Sequence, residues 1–187
     1  NMQKKSDLVL YNNYPYNPGG NFIKRILWHY INALVFKTSL FPFYWIKNFL
    51  LRLFGAKLGN MVEVKPGVNI KYPWNLTIGD EVWIGENVWI DNLVMVTIGS
   101  NICISQGVIL LTGSHNYKIP SFDLITGTIV LEDGVWLGAM SIVNKGITVS
   151  SHAILSAGSV ATKDLEAYAI YQGNPAVKVR DREINLA

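Results

Sequence analysis

The sequence predicts an all-β fold, a parallel β-helix preceded by two short helices. The main observation is that aliphatic residues recur every six positions, a period that neither an α-helix nor an alternating strand would give. Small or branched residues stand two places before most of these anchors, so both should point into the coil. The anchors are Val64, Ile70, Ile78, Ile84, Ile90, Ile98, Ile104, Leu110, Leu131, Leu137, Val143, Val149, Leu155 and Ala161.

Glycine or another small or acidic residue often follows an anchor directly, as in "IGDEVW", "IGENVW" and "LGAMSI". We expect glycine at these places because a coil corner needs backbone angles that a side chain would resist. Residues between the two inward positions should point outward. Trp83, Trp89 and Trp136 all occupy this outward position. For Trp83 and Trp89 we expect burial between subunits rather than contact with a ligand.

Composition limits the classes of protein to which the chain can belong. At 187 residues, half of them hydrophobic, it can bury the core of one domain. Its formal net charge of +3 is dispersed, which argues against a nucleic-acid partner. One cysteine, Cys103, excludes an intramolecular disulfide and suits a reducing compartment. The start lacks the apolar core of a secretory signal, so we expect a cytoplasmic location.

We predict three segments along the chain: an aromatic, helical N-terminal segment (1–60), the β-helix (61–165) with a protruding loop at 113–128, and a tail (166–187). Residues 22–54 are apolar but are interrupted by basic residues, so no run is long enough to span a bilayer. One helix should bury a face that recurs at helical spacing, and a second should run from Pro42 to Gly55. The predicted buried face comprises Ile23, Ile26, Leu27, Tyr30, Ile31, Leu34 and Val35.

Two uses of these helices are compatible with the sequence. They could pack on the β-helix or on a neighbouring subunit. They could also rest on a membrane surface, with their basic residues at the headgroups, which would place the protein peripherally at the inner face of the membrane.

Three interruptions of the repeat share one edge of the predicted coil. If three hexapeptides make one triangular turn, the longer steps after Ile70, Ile90 and Leu110 all fall between the second and third faces. Neighbouring coils stack about 4.8 Å apart. The longest interruption, "LLTGSHNYKIPSFDLITG", carries His115 at an outward position. Asp91 and Asn92 should therefore lie one coil from His115. Long loops in compact folds are usually functional or mobile.

The repeat, the "TGSH" at its interruption, the "VATKD" at 160–164 and the closing "GNPAVKVR" resemble the left-handed β-helix hexapeptide acyltransferases. The nearest likeness is to the colanic acid type of O-acetyltransferase, through the N-terminal "FPF" and "LLRLFGAKLG". This resemblance implies a left-handed parallel β-helix and a homotrimer with active sites between adjacent subunits. It also implies acetyl transfer from acetyl-CoA to a hydroxyl of a saccharide or sugar-linked intermediate in polysaccharide biosynthesis.

His115 matches the catalytic histidine of this family. An imidazole titrates near neutrality, so it can remove the proton of an attacking sugar hydroxyl as a general base. A carboxylate or a backbone carbonyl could hold the ring in one tautomer. Relatives of the colanic type tend to carry aspartate where this chain has Asn116, and Asp123 or Asp91 could compensate for that difference.

The resemblance also implies which residues bind the two substrates. For the donor, Ala139 and Ala157 would let the pantetheine arm approach the backbone, and the basic residues would meet its phosphates. The predicted acetyl-CoA contacts are Trp136, Ala139, Ala157, Thr162, Lys163 and Arg180. The predicted acceptor contacts, all at or near the interrupted edge, are Trp74, Asp91, Asn92, Asn116 and Asp123.

Three other functions remain open from the sequence. N-acetylation of an amino sugar could use the same histidine base. A β-helix carbonic anhydrase would need clustered histidines, whereas His29, His115 and His152 are widely separated by the coil assignment, so we predict no metal requirement. We expect His29 and His152 to be structural. A non-catalytic scaffold, docked through residues 22–54, would need neither His115 at the edge nor a coenzyme-like tail.

Overall fold

The computed structural model describes residues 5–185 of the chain. The two α-helices are α1 (Phe22–Ile31), which continues as a π-helical turn over Asn32–Phe36, and α2 (Tyr44–Leu53). Short 3₁₀ turns cover Leu8–Leu10 and Pro73–Asn75. The strands are β1 (Lys57–Leu58), β2 (Glu63–Val64), β3 (Asn69–Ile70), β4 (Leu76–Ile78), β5 (Trp83–Ile84), β6 (Trp89–Asp91), β7 (Val96–Ile98), β8 (Cys103–Ile104), β9 (Ile109–Leu111), β10 (Gly113–His115), β11 (Leu124–Thr126), β12 (Ile129–Leu131), β13 (Trp136–Leu137), β14 (Ile142–Val143), β15 (Thr148–Val149), β16 (Ile154–Leu155), β17 (Val160–Ala161), β18 (Ala169–Gly173) and β19 (Ala176–Asp181).

Three sheets form the walls of a parallel β-helix, which confirms the predicted fold. Sheet one stacks β2, β5, β8, β13, β16 and β18 in parallel, and β19 closes it as an antiparallel strand. Sheet two stacks β3, β6, β9, β14 and β17, and sheet three stacks β1, β4, β7, β12 and β15. The chain visits them in rotation, and anchors pair with anchors, as Ile70 does with Ile90 and Ile90 with Leu110.

The interior consists of the residues that the repeat predicted. Every anchor from Val64 to Ala161 is at most 2% exposed. The residues two places before the anchors, such as Val68, Val82 and Val108, are buried as well. Both sets therefore point inward, as two-residue alternation on a strand requires.

The glycines that follow the anchors have a different role from the predicted one. The left-handed backbone angles lie three residues before most anchors, the exceptions being Ile78, Ile98 and Leu131. They occur at glycines such as Gly67 but also at residues with side chains, such as Asn87 and His152. Gly79 follows an anchor without such an angle. A Cβ on Gly79 would lie 2.7 Å from the carbonyl carbon of Gly99 in the next coil. These glycines therefore allow neighbouring coils to stack closely, which a side chain would prevent.

Side chains of the two helices satisfy the open end of the β-helix. No preceding coil supplies amide donors for the carbonyls of the first coil. Unpaired backbone groups at a buried edge are costly, so these carbonyls need other donors. The Trp28 indole donates to the Ile70 carbonyl at 2.8 Å. The Lys47 ammonium, fully buried, donates to the Lys65 carbonyl at 2.9 Å, and burial lowers its pKa.

The face of α1 that packs on the β-helix is not the predicted one. Trp28 is 2% exposed and Phe36, in the π-helical turn, is 0% exposed. Ile23, Ile26 and Leu27 of the predicted face are 40–66% exposed. Tyr30 and Leu34 are exposed too, and only Ile31 and Val35 are partly buried. The reason is that α1 carries apolar residues on more than one side, and the side with a hydrogen-bonding indole is the one that caps the coil.

The predicted second helix is present as α2 (Tyr44–Leu53). The β-helix begins at β1 within the predicted N-terminal segment, and the predicted tail contains β18, which extends sheet one. Over the described residues, no helix combines the length and apolarity that a membrane span needs.

Candidate active site

The three interruptions of the repeat lie between sheets two and three, as predicted, and we call this the insertion edge (71–75, 91–95 and 111–128). Buried polar groups join its coils. The Thr112 hydroxyl, 0% exposed, donates to the Asp91 carbonyl at 2.8 Å. The Asn92 side chain donates to the Tyr72 carbonyl at 2.6 Å and accepts from the Tyr72 amide at 2.9 Å.

Asn92 was predicted to contact the acceptor, and the structure contradicts this. It is 0% exposed, and its amide nitrogen also donates to the Asn75 carbonyl at 3.1 Å. A buried amide with its donors and acceptor used by the backbone has no atom left for a ligand. Asn92 instead fixes the turn of the neighbouring coil.

The predicted loop at 113–128 contains a β-hairpin that carries His115. Strands β10 and β11 pair antiparallel, with His115 opposite Leu124. The turn is closed by the Asn116 amide, which donates to the Asp123 carbonyl at 2.8 Å. A hairpin holds a side chain more firmly than an irregular loop does, because both strands restrict its backbone.

The imidazole of His115 is held by the carbonyl of Phe122. Nδ1 lies 2.9 Å from the Phe122 oxygen, and the two rings stack with centroids 4.6 Å apart and planes within 8°. A carbonyl oxygen can only accept, so Nδ1 must carry the proton and Nε2 is left as the basic nitrogen. Phe122 has a φ of +52°, a strained angle of the kind that collects at functional sites.

The N-terminal segment 5–20 runs along the insertion edge. At one end, the Tyr11 ring lies 5.8 Å from that of His115, and the Asn12 amide donates to the Asp123 carboxylate at 3.0 Å. At the other end, the Trp74 indole donates to the Pro18 carbonyl at 2.7 Å. The segment therefore forms one wall beside the histidine.

Trp74 was predicted to stack on a sugar ring, but the protein itself covers its ring. Tyr72 stacks on it with centroids 5.0 Å apart, and the Lys24 ammonium lies 4.9 Å from the ring centroid. A Cβ on Gly20 would come within 3.2 Å of the ring. The structure thus assigns Trp74 to the packing of the N-terminal segment.

Four of the six predicted donor residues line a groove of about 520 Å³ on the outside of sheet one, at its corner with sheet two. Trp136, Ala139, Ala157 and Arg180 all line this groove. The Trp136 indole donates to the Ser105 hydroxyl at 3.0 Å, which fixes the ring against one wall. Small residues and a cation in one groove suit a phosphorylated ligand.

Comparisons with known proteins show the family to which the chain belongs. No family model matches the sequence. The chain is 41% identical over 164 residues to the colanic acid biosynthesis acetyltransferase WcaF of Escherichia coli, a match that covers 88% of this chain and 90% of that protein. The chain belongs to the hexapeptide-repeat acetyltransferases.

More distant members share the fold of this acetyltransferase. The galactoside O-acetyltransferase of Escherichia coli is 29% identical over 135 residues, which cover 71% of this chain and 66% of that protein. A hexapeptide-repeat acetyltransferase of Vibrio cholerae superimposes with a TM-score of 0.78 at 24% identity, covering 87% of this chain and 92% of the other. A galactoside acetyltransferase in complex with coenzyme A gives a TM-score of 0.77 at 24% identity, covering 86% and 82%.

The remaining predicted site residues of this acetyltransferase lie apart from His115 Nδ1. Asp91 binds the Lys71 ammonium at 2.9 Å. The Asp123 carboxylate holds the N-terminal segment, and the side-chain Oδ1 of Asn116 accepts from the backbone amide of Lys118 at 3.2 Å. The backbone carbonyl that the sequence left as one alternative is therefore what orients His115.

Two donor predictions lie outside the groove, and two groups in the site were missed. Thr162 and Lys163 are exposed in the turn after β17 and do not line the groove. Phe122 was missed because a backbone carbonyl leaves no residue-type signal in a sequence. Ser105 was missed because it resembles any other serine at a coil corner. Within residues 5–185, no group of three or more potential metal ligands occurs.

The hydrogen bond to Phe122 predicts the tautomer of His115. When the His115 imidazole is neutral, we expect its proton on Nδ1 and none on Nε2, because only that tautomer can donate to the Phe122 carbonyl. Two-bond ¹H–¹⁵N correlation NMR of ¹⁵N-histidine-labelled protein, with His115→Ala to assign the signals, measures this directly. A His115 ring that is predominantly protonated on Nε2 would contradict the assignment.

Proposed function

We propose that this enzyme transfers an acetyl group from acetyl-CoA to a hydroxyl of a saccharide or sugar-linked intermediate in polysaccharide biosynthesis, with His115 as the general base. The observation that carries the proposal is the orientation of His115, whose Nδ1 faces the Phe122 carbonyl at 2.9 Å. A histidine held in this way presents a basic Nε2 at an edge lined by polar side chains. The identity with a colanic acid biosynthesis acetyltransferase supports a saccharide acceptor.

The chemistry requires no covalent enzyme intermediate. His115 Nε2 accepts the proton of the sugar hydroxyl as the oxygen forms its bond to the thioester carbon. The carbon–sulfur bond then breaks, and the departing thiolate takes up the proton that the imidazolium returns. The Phe122 carbonyl contributes by stabilising the positive charge on the ring through the Nδ1 hydrogen bond.

The donor groove fits acetyl-CoA by the character of its residues. Trp136, Ala139, Ala157 and Arg180 supply an aromatic wall, room for a chain close to the backbone, and a cation for phosphate. Thr162 and Lys163, exposed at the same end of the β-helix, would meet the diphosphate and nucleotide. Support comes from a structural neighbour, the galactoside acetyltransferase solved with coenzyme A.

On the acceptor side, Asp91 is the strongest remaining contact. It lies at the insertion edge, and its carboxylate faces Lys71 at 2.9 Å, so the pair could bind sugar hydroxyls as both acceptor and donor. Asn116 and Asp123, both half-buried in the hairpin, would contribute from the other side of His115.

The layout of one chain supports our proposal of a homotrimer with active sites between subunits. The donor groove lies at the corner between sheets one and two, whereas His115 lies at the edge between sheets two and three. These two places flank opposite ends of sheet two. In the proposed trimer, the donor groove of one chain would face the histidine of a neighbouring subunit.

Substitution of His115 separates chemistry from donor binding. We expect His115→Ala to lower kcat by about 10²–10⁴-fold, the usual contribution of a general base. Binding of acetyl-CoA should change little, because the groove residues proposed to hold the coenzyme, Trp136, Ala139, Ala157 and Arg180, are all retained. The assay is release of the CoA thiol with a panel of mono- and oligosaccharides, alongside calorimetric titration with acetyl-CoA. Ser114→Ala, an exposed neighbour in the same hairpin, is the control. Unchanged turnover in His115→Ala, or no binding of acetyl-CoA by the wild type, would contradict the proposal.

We place the enzyme in the cytoplasm, where acetyl-CoA would be its donor, with a peripheral contact to anionic membrane. The support is the N-terminal region, because no acidic residue occurs from Leu8 to Val62 whereas six basic residues do. The same region exposes many large apolar side chains. These are Phe22, Ile23, Ile26, Leu27, Tyr30, Leu34, Leu40, Phe41, Phe43, Tyr44, Trp45, Phe49 and Leu53. Basic and exposed apolar residues together suit an anionic lipid surface.

Vesicle flotation tests this contact. We expect binding to vesicles of phosphatidylcholine and phosphatidylglycerol, weaker binding to phosphatidylcholine alone, and loss of binding in the double variant Trp45→Ser with Phe49→Ser. Both side chains are more than 60% exposed on α2. Ile184→Ser, which changes an apolar side chain that is 56% exposed in the C-terminal tail, is the control. If the double variant instead floats normally and loses its oligomeric state, a second copy of the chain covers this face.

A further inference from the structure

A second groove, of about 380 Å³, lies between α1 and the outside of sheet two and is strongly cationic. Arg25, His29, Lys37 and Lys71 line it. Asp91 is the one carboxylate in that lining, and the Lys71 ammonium already binds it at 2.9 Å. Within residues 5–185, Arg25 and Lys37 form no ion pair. The groove therefore presents uncompensated positive charge to a ligand.

Its remaining walls are aromatic and polar. Trp89, which the sequence analysis assigned to a subunit interface, is 41% exposed on the single chain and lines the groove together with the half-buried Tyr72. The amides of Asn32 and Asn69 also line it, joined by a hydrogen bond of 2.7 Å. Cations bind phosphate oxygens through charge-assisted hydrogen bonds. Exposed aromatic rings suit the faces of a sugar ring, so the chemistry fits a phosphorylated saccharide.

An apolar groove of about 320 Å³ adjoins the cationic one and shares Arg25 and His29 with it. Its other walls are Phe22, Ile26 and Tyr30, which are 40–68% exposed. A ligand held at Arg25 would therefore reach apolar side chains on one side and the sheet on the other. A cationic groove beside an apolar one suits a ligand that has an anionic group attached to a hydrocarbon chain.

The cationic groove also reaches the insertion edge. Asp91, in its lining, is the last residue of β6 and pairs in register with Leu111 of the next coil. The hairpin strand that ends at His115 begins two residues after Leu111. Adjacent coils are about 4.8 Å apart, so a sugar joined to a phosphate in the groove would lie toward the His115 edge.

We propose that this groove binds the diphosphate through which the saccharide acceptor is attached to its carrier, and that the carrier is a lipid hydrocarbon lying against Phe22, Ile26 and Tyr30. The proposal rests on the proposed function, because it names the form in which the acceptor reaches His115. A nucleotide carrier shares the diphosphate but has no use for the apolar groove.

Calorimetric titration of the full chain tests the assignment. CoA is kept saturating throughout, so that the donor groove cannot take up diphosphate. The probes are inorganic pyrophosphate, geranyl diphosphate and uridine diphosphate. We expect geranyl diphosphate to bind at least about tenfold more tightly than pyrophosphate, because part of its chain leaves water. Uridine diphosphate should show no such gain.

Three variants locate the binding. Arg25→Gln with Lys37→Gln should weaken pyrophosphate and geranyl diphosphate by about tenfold or more, because two charge-assisted contacts are lost. Ile26→Ser should remove the advantage of geranyl diphosphate and leave pyrophosphate unchanged. Lys57→Gln, an exposed lysine of β1 outside the groove, should change neither. Retained binding of CoA shows that each variant is folded.

The outcomes separate this inference from the proposed function. Equal pyrophosphate binding by the double variant and Lys57→Gln would overturn the diphosphate assignment. Uridine diphosphate that binds as tightly as geranyl diphosphate would overturn the lipid carrier. Either result, with acetyl-CoA bound normally by the wild type, leaves the acetyltransferase proposal intact, whereas failure to bind acetyl-CoA would count against that proposal instead.

Discussion

The structure depends on the backbone ladder that stacks each coil on the next in register. Because Ile70 pairs with Ile90, and Ile90 with Leu110, every coil repeats the position of the one before it. Glycines such as Gly79 keep this stacking close, because a Cβ added at that position would collide with the next coil. Inserted residues therefore leave the core undisturbed only if they lie between strands and not within one. They leave between sheets two and three, and the residues they carry are gathered along one edge.

From this constraint follow the positions of both candidate binding regions. The His115 hairpin extends the longest interruption, and its own strand pairing allows the Phe122 carbonyl to hold the imidazole. The donor groove forms at another corner, where Trp136 and Ala139 lie in one coil and Ala157 lies in the next. Sheet two separates the two regions, so catalysis in this account depends on assembly as much as on the fold of one chain.

The helices address a second consequence of the ladder, which is that a stack of coils has open ends. Trp28 and Lys47 donate to carbonyls of the first coil, and the Asn48 amide donates to the Val62 carbonyl at 2.7 Å. The helices thereby bury their hydrogen-bonding sides and leave much of their apolar surface outside. We propose that this exposed surface and the cationic groove beside α1 bind the lipid-linked acceptor. The helices that cap the fold would then also bind a substrate.

The period of six was sufficient to predict the interior, the three faces and the shared edge, because each is a direct consequence of spacing. It was insufficient wherever a single hydrogen bond decides between alternatives. The apolar face of α1 was placed on the wrong side because Trp28, not aliphatic spacing, docks the helix. Asn92 was correctly placed at the edge, but its burial against the Tyr72 backbone depends on turn geometry that spacing does not encode. The same limit applies to the Phe122 carbonyl.

The most direct test of the account is a crystal structure of the enzyme with coenzyme A. We predict a trimer in which the pantetheine chain follows the groove of Trp136, Ala139 and Ala157 on one subunit, with the thiol beside Nε2 of a neighbouring subunit's histidine at position 115. A thiol that lies against its own chain, away from every copy of that histidine, would contradict both the proposed base and the shared active site.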